Sequence, residues 1–576
     1  MRHLLIMLLL FYGFGCSQST ILEAPNVILI LTDDQGWGDL HFHGNDSIHT
    51  PNLDRLAKQS VRLTNFHVSP VCAPTRASLL TGRYHLRTGT SWVTHRKEVM
   101  RSEEYTMAEA FRDNGYHTAL FGKWHNGAQY PNDPKGQGFE HFFGFKAGHW
   151  NNYFDTTLDS NGIQVKTEGY ITDVLTNNSL EFLELQKDKP FFCLLSYNAP
   201  HSPFQVPDSY YDRYREAGLT PKNATVYGMV ENLDRNLGRL LDYLDESGLR
   251  QNTLLIFLTD NGPNGERYNG GMRGRKAQVY EGGTRVPMFI SWPQQLPNDQ
   301  DRTFLSAHID LLPTLASFCQ LALPNSLKLD GIDLSQNIKQ ENQTPVSREF
   351  FTIFNGGKEQ SYPGAINTGR YKLVFNRQNE SELYDLQQDP AEQTPLEDSQ
   401  LEQKLRKRYL DWYTSVRPDS YQAPPIPVMS SSTMCTAEEG ELQGPLSFKG
   451  GFGWANDYAI NWASQRAGIH WELDVAQAGS YEIKLHYFAK ANIPEAQLSL
   501  HHGDSEQSVN SLSAYYQDFP NSTDRVTRGE VYEHYWKEVS IGSIELPAGR
   551  QQIKIRQIGN DSLPLAVKGV SLNKEN

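Results

Sequence analysis

Asn26-Val27-Ile28-Leu29-Ile30-Leu31, running into Thr32-Asp33-Asp34-Gln35-Gly36, is the stretch that sets the fold. Five consecutive aliphatic residues without polar alternation read as a strand buried on both faces. The pattern recurs. Thr253-Leu254-Leu255-Ile256-Phe257-Leu258-Thr259 ends in Asp260-Asn261-Gly262, and Phe191 to Tyr197 ends in Asn198-Ala199-Pro200-His201. The shorter run Tyr116 to Phe121 delivers Gly122-Lys123-Trp124-His125. Helical stretches lie between them at Asn52–Ser60, Thr106–Asn114, Thr172–Leu185 and Tyr227–Ser247. The alternation predicts an α/β fold around a mostly parallel sheet. In such sheets ligands bind beyond the carboxyl ends of the strands, so the polar residues there are the candidate site.

Asp33 and Asp34 would repel each other unless a cation sits between them. Together with Asp260 and Asn261 they offer hard oxygen ligands from two strand ends, a set suited to Ca²⁺ or Mg²⁺ and not to zinc. A helix cap plus a solvent-facing Asp is the plainer alternative. Lys123 and His125 project the same way if their strand continues, and both can then face an oxyanion; an exposed Lys and a core His is the other reading. Pro200 and Pro203 stiffen the turn that holds His201.

Val71-Cys72-Ala73-Pro74-Thr75-Arg76-Ala77-Ser78-Leu79-Leu80-Thr81-Gly82 reads as a helix with Pro74 in its first turn and Gly82 at its end. Cys72 then lies at the positive end of the helix dipole, which suits a reactive sulfur and a bound oxyanion. Arg76, one turn on, reaches back to the same spot. A buried structural Cys remains open on these residues alone. Gly138 to Tyr153 reads as a wall without regular structure; in it His149 and Trp150 contact a sugar or simply pack. Arg273-Gly274-Arg275-Lys276 is a basic cluster or a solvated charge run.

Cys72-x-Pro74-x-Arg76 followed by Ala77 to Gly82 resembles the signature of type I sulfatases. Further motifs follow in the family's order, as far as His308-x-Asp310-Leu311-Leu312-Pro313-Thr314. The resemblance implies an alkaline-phosphatase-like α/β sandwich closed by a small antiparallel subdomain. It implies that a formylglycine-generating or other sulfatase-maturing enzyme oxidises Cys72 to formylglycine. It also implies one metal, Ca²⁺ ahead of Mg²⁺, on Asp33, Asp34, Asp260, Asn261 and modified Cys72. Lys123 and Lys276 would grip the sulfate, Arg76 would orient the formylglycine, and His125 and His201 would move protons. Arg273 and Arg275 are extra cations that extend the pocket or pair with surface acids. The segments Gly144–Tyr153 and Asn269–Arg273 look like polysaccharide sulfatases of marine bacteria. They point to a sulfated algal polysaccharide or its oligosaccharides, ulvan ahead of carrageenan, fucoidan and host glycosaminoglycans. A phosphonate or phosphate monoester hydrolase and a non-catalytic surface carbohydrate-binding protein are the alternatives.

At 576 residues the chain exceeds a single core. A net charge of −14 argues against nucleic acid as the main partner, so positive charge for an anionic substrate must be local. Five Cys are too few for a disulfide scaffold. Residues 1–16 read as an export signal with a lipobox ending at Cys16, or else a simple cleavage site. That places the protein in the periplasm or at the outer membrane as a lipoprotein, otherwise secreted, with membrane contact through the lipid anchor alone. The expected order is a catalytic domain over 24–330, a small subdomain over 331–420, a Pro- and Ser-rich linker over 421–432, and an accessory β-sandwich over 433–576. The sandwich carries Trp454, Tyr458, Trp462 and Trp471, which line a carbohydrate-binding face or fill its core.

Overall fold

A computed structural model describes residues 24–340, 347–429, 431–495, 497–519 and 524–575. The expected signal and Cys16 lie outside the described residues. Among these residues no helix is long and apolar enough to cross a membrane.

The Asn26–Thr32 strand is the centre of a ten-stranded sheet. It pairs in parallel with Phe191–Ser196 on one side and Thr253–Thr259 on the other. His117–Lys123 and His141–Phe145 continue the parallel block, a hairpin of antiparallel strands finishes that edge, and on the other side antiparallel Met288–Ser291 joins Val61–Leu63 and Gln300–Arg302 to the sheet. Alternate side chains of the central strand enter different cores. Ile28 and Ile30 pack with the helices Ile171–Gln186 and Pro221–Glu246, while Val27, Leu29 and Leu31 face Cys72–Thr81 and Leu311–Cys319. Every residue of the run is buried, which is why the sequence shows no alternation.

Two features differ from the sequence reading. His141–Phe145, expected within an irregular wall, is a core strand. Beyond it Thr157–Ser160 and Ile163–Lys166 form a hairpin whose turn residues Asn161 and Gly162 have φ of 52° and 94°.

The subdomain is a four-stranded antiparallel sheet from Phe350 to Asp385, covered by the helix Ser399–Val416. Buried Lys372 of this sheet pairs with Glu281 and Glu392, both at 2.9 Å. That fastens the turn following Lys276 to the subdomain. The C-terminal part is two sheets of six strands around one core, as expected. Tyr458, Trp462 and Trp471 are buried, so they fill the sandwich and do not form a stacking face; Trp454 alone of the four is exposed, beside Phe452.

The stretch expected to be a free linker is part of the sandwich. Ile426–Val428 pairs in parallel with Gly468–Val475. Arg96 of the catalytic domain donates to the Pro424 and Pro425 carbonyls, each at 2.9 Å, and pairs with Glu439 at 2.8 Å, with both side chains nearly buried. Arg96→Ala removes the cation paired with the buried Glu439 carboxylate, which keeps only neutral donors from Gln129 and Thr436, a loss of about 3 kcal/mol. The first thermal transition is expected to move down by several degrees; an unshifted transition would show that this contact does not fasten the two domains.

Candidate active site

The register that matches Thr32 to Thr259 sets Asp33 and Asp34 beside Asp260 and Asn261. The Asp34 amide donates to Asp260 Oδ1 at 3.2 Å, and Asn261 Nδ2 donates to Asp34 Oδ1 at 2.8 Å. The helix Cys72–Thr81 starts directly above them, with extended Val71 before it and left-handed Gly82 after it, as the sequence predicts. Arg76 donates to Asp260 Oδ2 through Nε at 3.1 Å and Nη2 at 2.8 Å, and to Ser196 Oγ at 2.6 Å. Lys123 Nζ lies 2.6 Å from Asp33, and Lys276 Nζ lies 2.6 Å from Asp34. The Lys276 loop is held against the Cys72 helix, because the next amide, that of Ala277, donates to the Pro70 carbonyl at 2.8 Å. His201 Nε2 is 3.7 Å from Asp34 Oδ2. All the expected metal-ligand and sulfate-binding positions therefore meet in one pocket.

The donor set fits a divalent cation. Ligand atoms of Asp33, Cys72 and Asp260 lie within 4.8 Å of one another, as do those of Asp33, Asp34 and His201. Asp33 Oδ1, Asp34 Oδ2 and Asn261 Oδ1 are buried with no hydrogen-bond partner, a costly state that a bound cation relieves. Burial and the neighbouring Asp33 carboxylate push Asp260 up to about 6. Three buried carboxylates thus face three cations, Arg76, Lys123 and Lys276. A divalent ion makes the pocket net positive and ready for an anion. Burial raises the Cys72 thiol, against the opposing pull of Lys123 and Lys276 nearby. Burial, then Lys276, brings His201 down to about 4.

His125 does not extend a strand. The strand ends at Lys123, and His125 takes φ of 71°, with Nε2 2.9 Å from the Val93 carbonyl oxygen. A Cβ at Gly148 would lie 2.4 Å from His125 Nε2, so the wall touches the ring through a position that only Gly can fill. Of the four expected sugar contacts, His149 is at the site, its ring parallel to that of His201 at 6.1 Å. Trp150 instead stacks on Phe145 at 5.2 Å and donates to Thr156. Arg273 turns away to Glu382 at 2.8 Å and lies over the Tyr280 ring. Arg275 pairs with Glu266 at 3.0 Å. These three side chains are engaged by packing and by acids, the plainer alternative in each case.

The sandwich does not stand apart as an accessory. Its segment Asp524 to Val531 packs on the active-site wall. Arg528 donates to the Asn151 carbonyl at 2.9 Å, Gln205 donates to Asp524 at 3.0 Å, and Ser202 donates to Glu530. Asn456 donates to the His149 carbonyl at 3.3 Å. Sequence reasoning missed Glu530, Arg528 and Asp524. The charged run Asp524-Arg525-Val526-Thr527-Arg528-Gly529-Glu530 inside an all-β domain was the available signal.

Comparison with known proteins agrees with this geometry. Residues 25–320 match the family model described as Sulfatase, and residues 274–416 match N-sulphoglucosamine sulphohydrolase, C-terminal. Uncharacterized sulfatase YdeN of Escherichia coli is 31% identical over 391 residues, covering 58% of this chain and 69% of that protein. Human arylsulfatase A is 31% identical over 424 residues, covering 64% and 78%. The crystal structure of Ps i-CgsB in complex with k-i-k-neocarrahexaose superposes with a TM-score of 0.65 at 28% identity, over 70% of this chain and 95% of that one.

Asp260 is the counterion of Arg76 and also one of the candidate cation ligands. Asp260→Ala is therefore expected to lose the bound metal by elemental analysis and about 3–5 kcal/mol of stability. Undiminished calcium or magnesium in that variant would mean that the cation site lies elsewhere.

Proposed function

Because the chain belongs to the sulfatase family and is a sulfuric ester hydrolase, we propose that it removes sulfate from a sulfated carbohydrate through a formylglycine made from Cys72. One observation carries this reading: Cys72 sits at a buried helix start, its sulfur grouped with the Asp33 and Asp260 carboxylates and flanked by Lys123 and Lys276. The complex of Ps i-CgsB with k-i-k-neocarrahexaose supports a carbohydrate substrate. An algal polysaccharide or its oligosaccharides is the class to test first, ulvan before carrageenan. The export signal read over residues 1–16 supports a periplasmic or outer-membrane location, where such polymers arrive.

The division of labour follows from the geometry. Asp33, Asp34, Asp260 and Asn261 would hold the metal, for which Ca²⁺ is the better match to an all-oxygen set. When bound, the metal polarises a sulfate oxygen and lowers the pKa of the formylglycine hydrate. Lys123 and Lys276 neutralise the remaining sulfate oxygens. Arg76, fixed by Asp260 and Ser196, holds the side chain at position 72 in place. His201 hands a proton to the leaving sugar oxygen; burial and then Lys276 hold its ring neutral, and the anionic ester beside it offsets the Lys276 part. His125 takes the proton from position 72 as sulfate departs.

Mass spectrometry tests the maturation step. The peptide spanning Cys72 is expected to give formylglycine when the chain is made with a maturing enzyme, and cysteine without one. Cys72→Ala should fold and release no sulfate; substantial sulfate release by this variant would remove Cys72 from the chemistry. Chelation should abolish turnover of the matured enzyme, with Ca²⁺ restoring it better than Mg²⁺; equal or better rescue by Mg²⁺ would reassign the ion.

A further inference from the structure

The sandwich carries a cleft of about 700 Å³ on the side that meets the active site. Its lining includes Tyr458, Phe488, Tyr516, Lys449, Lys490 and Glu530. Tyr516 is 44% exposed, with the Lys490 ammonium 4.8 Å from its ring centre. Among the described residues neither Lys449 nor Lys490 forms an ion pair with an acid. Deeper in, Tyr458 Oη and His534 Nε2 lie 3.2 Å apart, while His534 Nδ1 is buried without a partner.

Gly529 to Val531 line both this cleft and a small recess that also contains His149. Glu530 stands at the junction. One of its carboxylate oxygens accepts from Ser202, the neighbour of His201. Its other oxygen, and His149 Nε2, are buried and unpartnered. The residue types define the ligand. The exposed rings of Tyr516 and Tyr532 suit the apolar face of a pyranose, free ammonium groups suit a sulfate or carboxylate, and a buried carboxylate suits a hydroxyl donor.

We propose that the cleft is a second sugar subsite, which takes an anionic sugar unit of the same chain whose neighbouring sulfate ester lies at Cys72. The inference rests on the carbohydrate reading above and deepens it. The sandwich then belongs to the substrate-binding surface, and the enzyme reads at least two linked sugar units. Glu530 is a positioning residue between the subsites.

The test uses the full-length, matured enzyme with Lys449→Ala and Lys490→Ala combined. It compares hexasaccharides prepared from ulvan and from carrageenan with 4-nitrophenyl sulfate, which is too small to reach the cleft. The ratio of kcat/KM for the cleaved hexasaccharide to that for the aryl sulfate should fall at least about tenfold, through KM. A ratio unchanged within about twofold overturns the subsite. Equilibrium binding of the same hexasaccharides to full-length Cys72→Ala tests the cleft without turnover, so a failure of the catalytic reading stays distinguishable. Binding weakened at least about tenfold by the two substitutions supports the subsite. Equal binding with and without them, or no hexasaccharide binding at all, overturns it.

Discussion

Parallel pairing of Asn26–Thr32 with Thr253–Thr259 is the constraint on which the rest of the molecule depends. It brings Asp34 and Asp260 together across 226 residues of sequence and buries them in an apolar sheet. Unpaired carboxylates in such a place are prohibitive, so cations must come from elsewhere in the fold. They arrive from three elements: Arg76 from a helix, Lys123 from a strand end, and Lys276 from a loop. Each cation is held by further structure, and the subdomain and the Pro70 carbonyl fix the loop. The architecture can be read as what is required to balance that one cluster of acids.

Much of this was legible in the sequence, for physical reasons. A strand buried on both faces has to be an unbroken apolar run, and its end is marked where polar residues begin. The helix at Cys72 was legible because Pro74 and Gly82 punctuate it. His141–Phe145 was missed because Gly144 and three aromatic residues look like a loop wall, although the same residues also suit a core strand. The Asn161-Gly162 turn was a hairpin signal left unused.

Side-chain partners were less legible than positions. Arg273 and Trp150 have the right chemistry for a sulfated sugar, but a residue's type does not say which way it points. Glu382 and Tyr280 capture the guanidinium, and Phe145 captures the indole. The sandwich was harder still, since Glu530 meets Ser202 across 328 residues and no local pattern encodes such a contact.

Complete burial of Cys72 has a consequence for the order of events during synthesis. The side chain is 3% exposed and its whole helix is enclosed. The sheet above it cannot close until Thr253–Thr259 exists, because that strand flanks the centre and carries the counterion of Arg76. Long-range pairing of this kind is slow to form. An enzyme that oxidises Cys72 therefore has a window that opens as residue 72 emerges and shuts once the strand at 253 docks. On the proposed formylglycine reading, maturation and folding would compete for the same sulfur, and a variant that folds faster would leave more of its molecules unconverted.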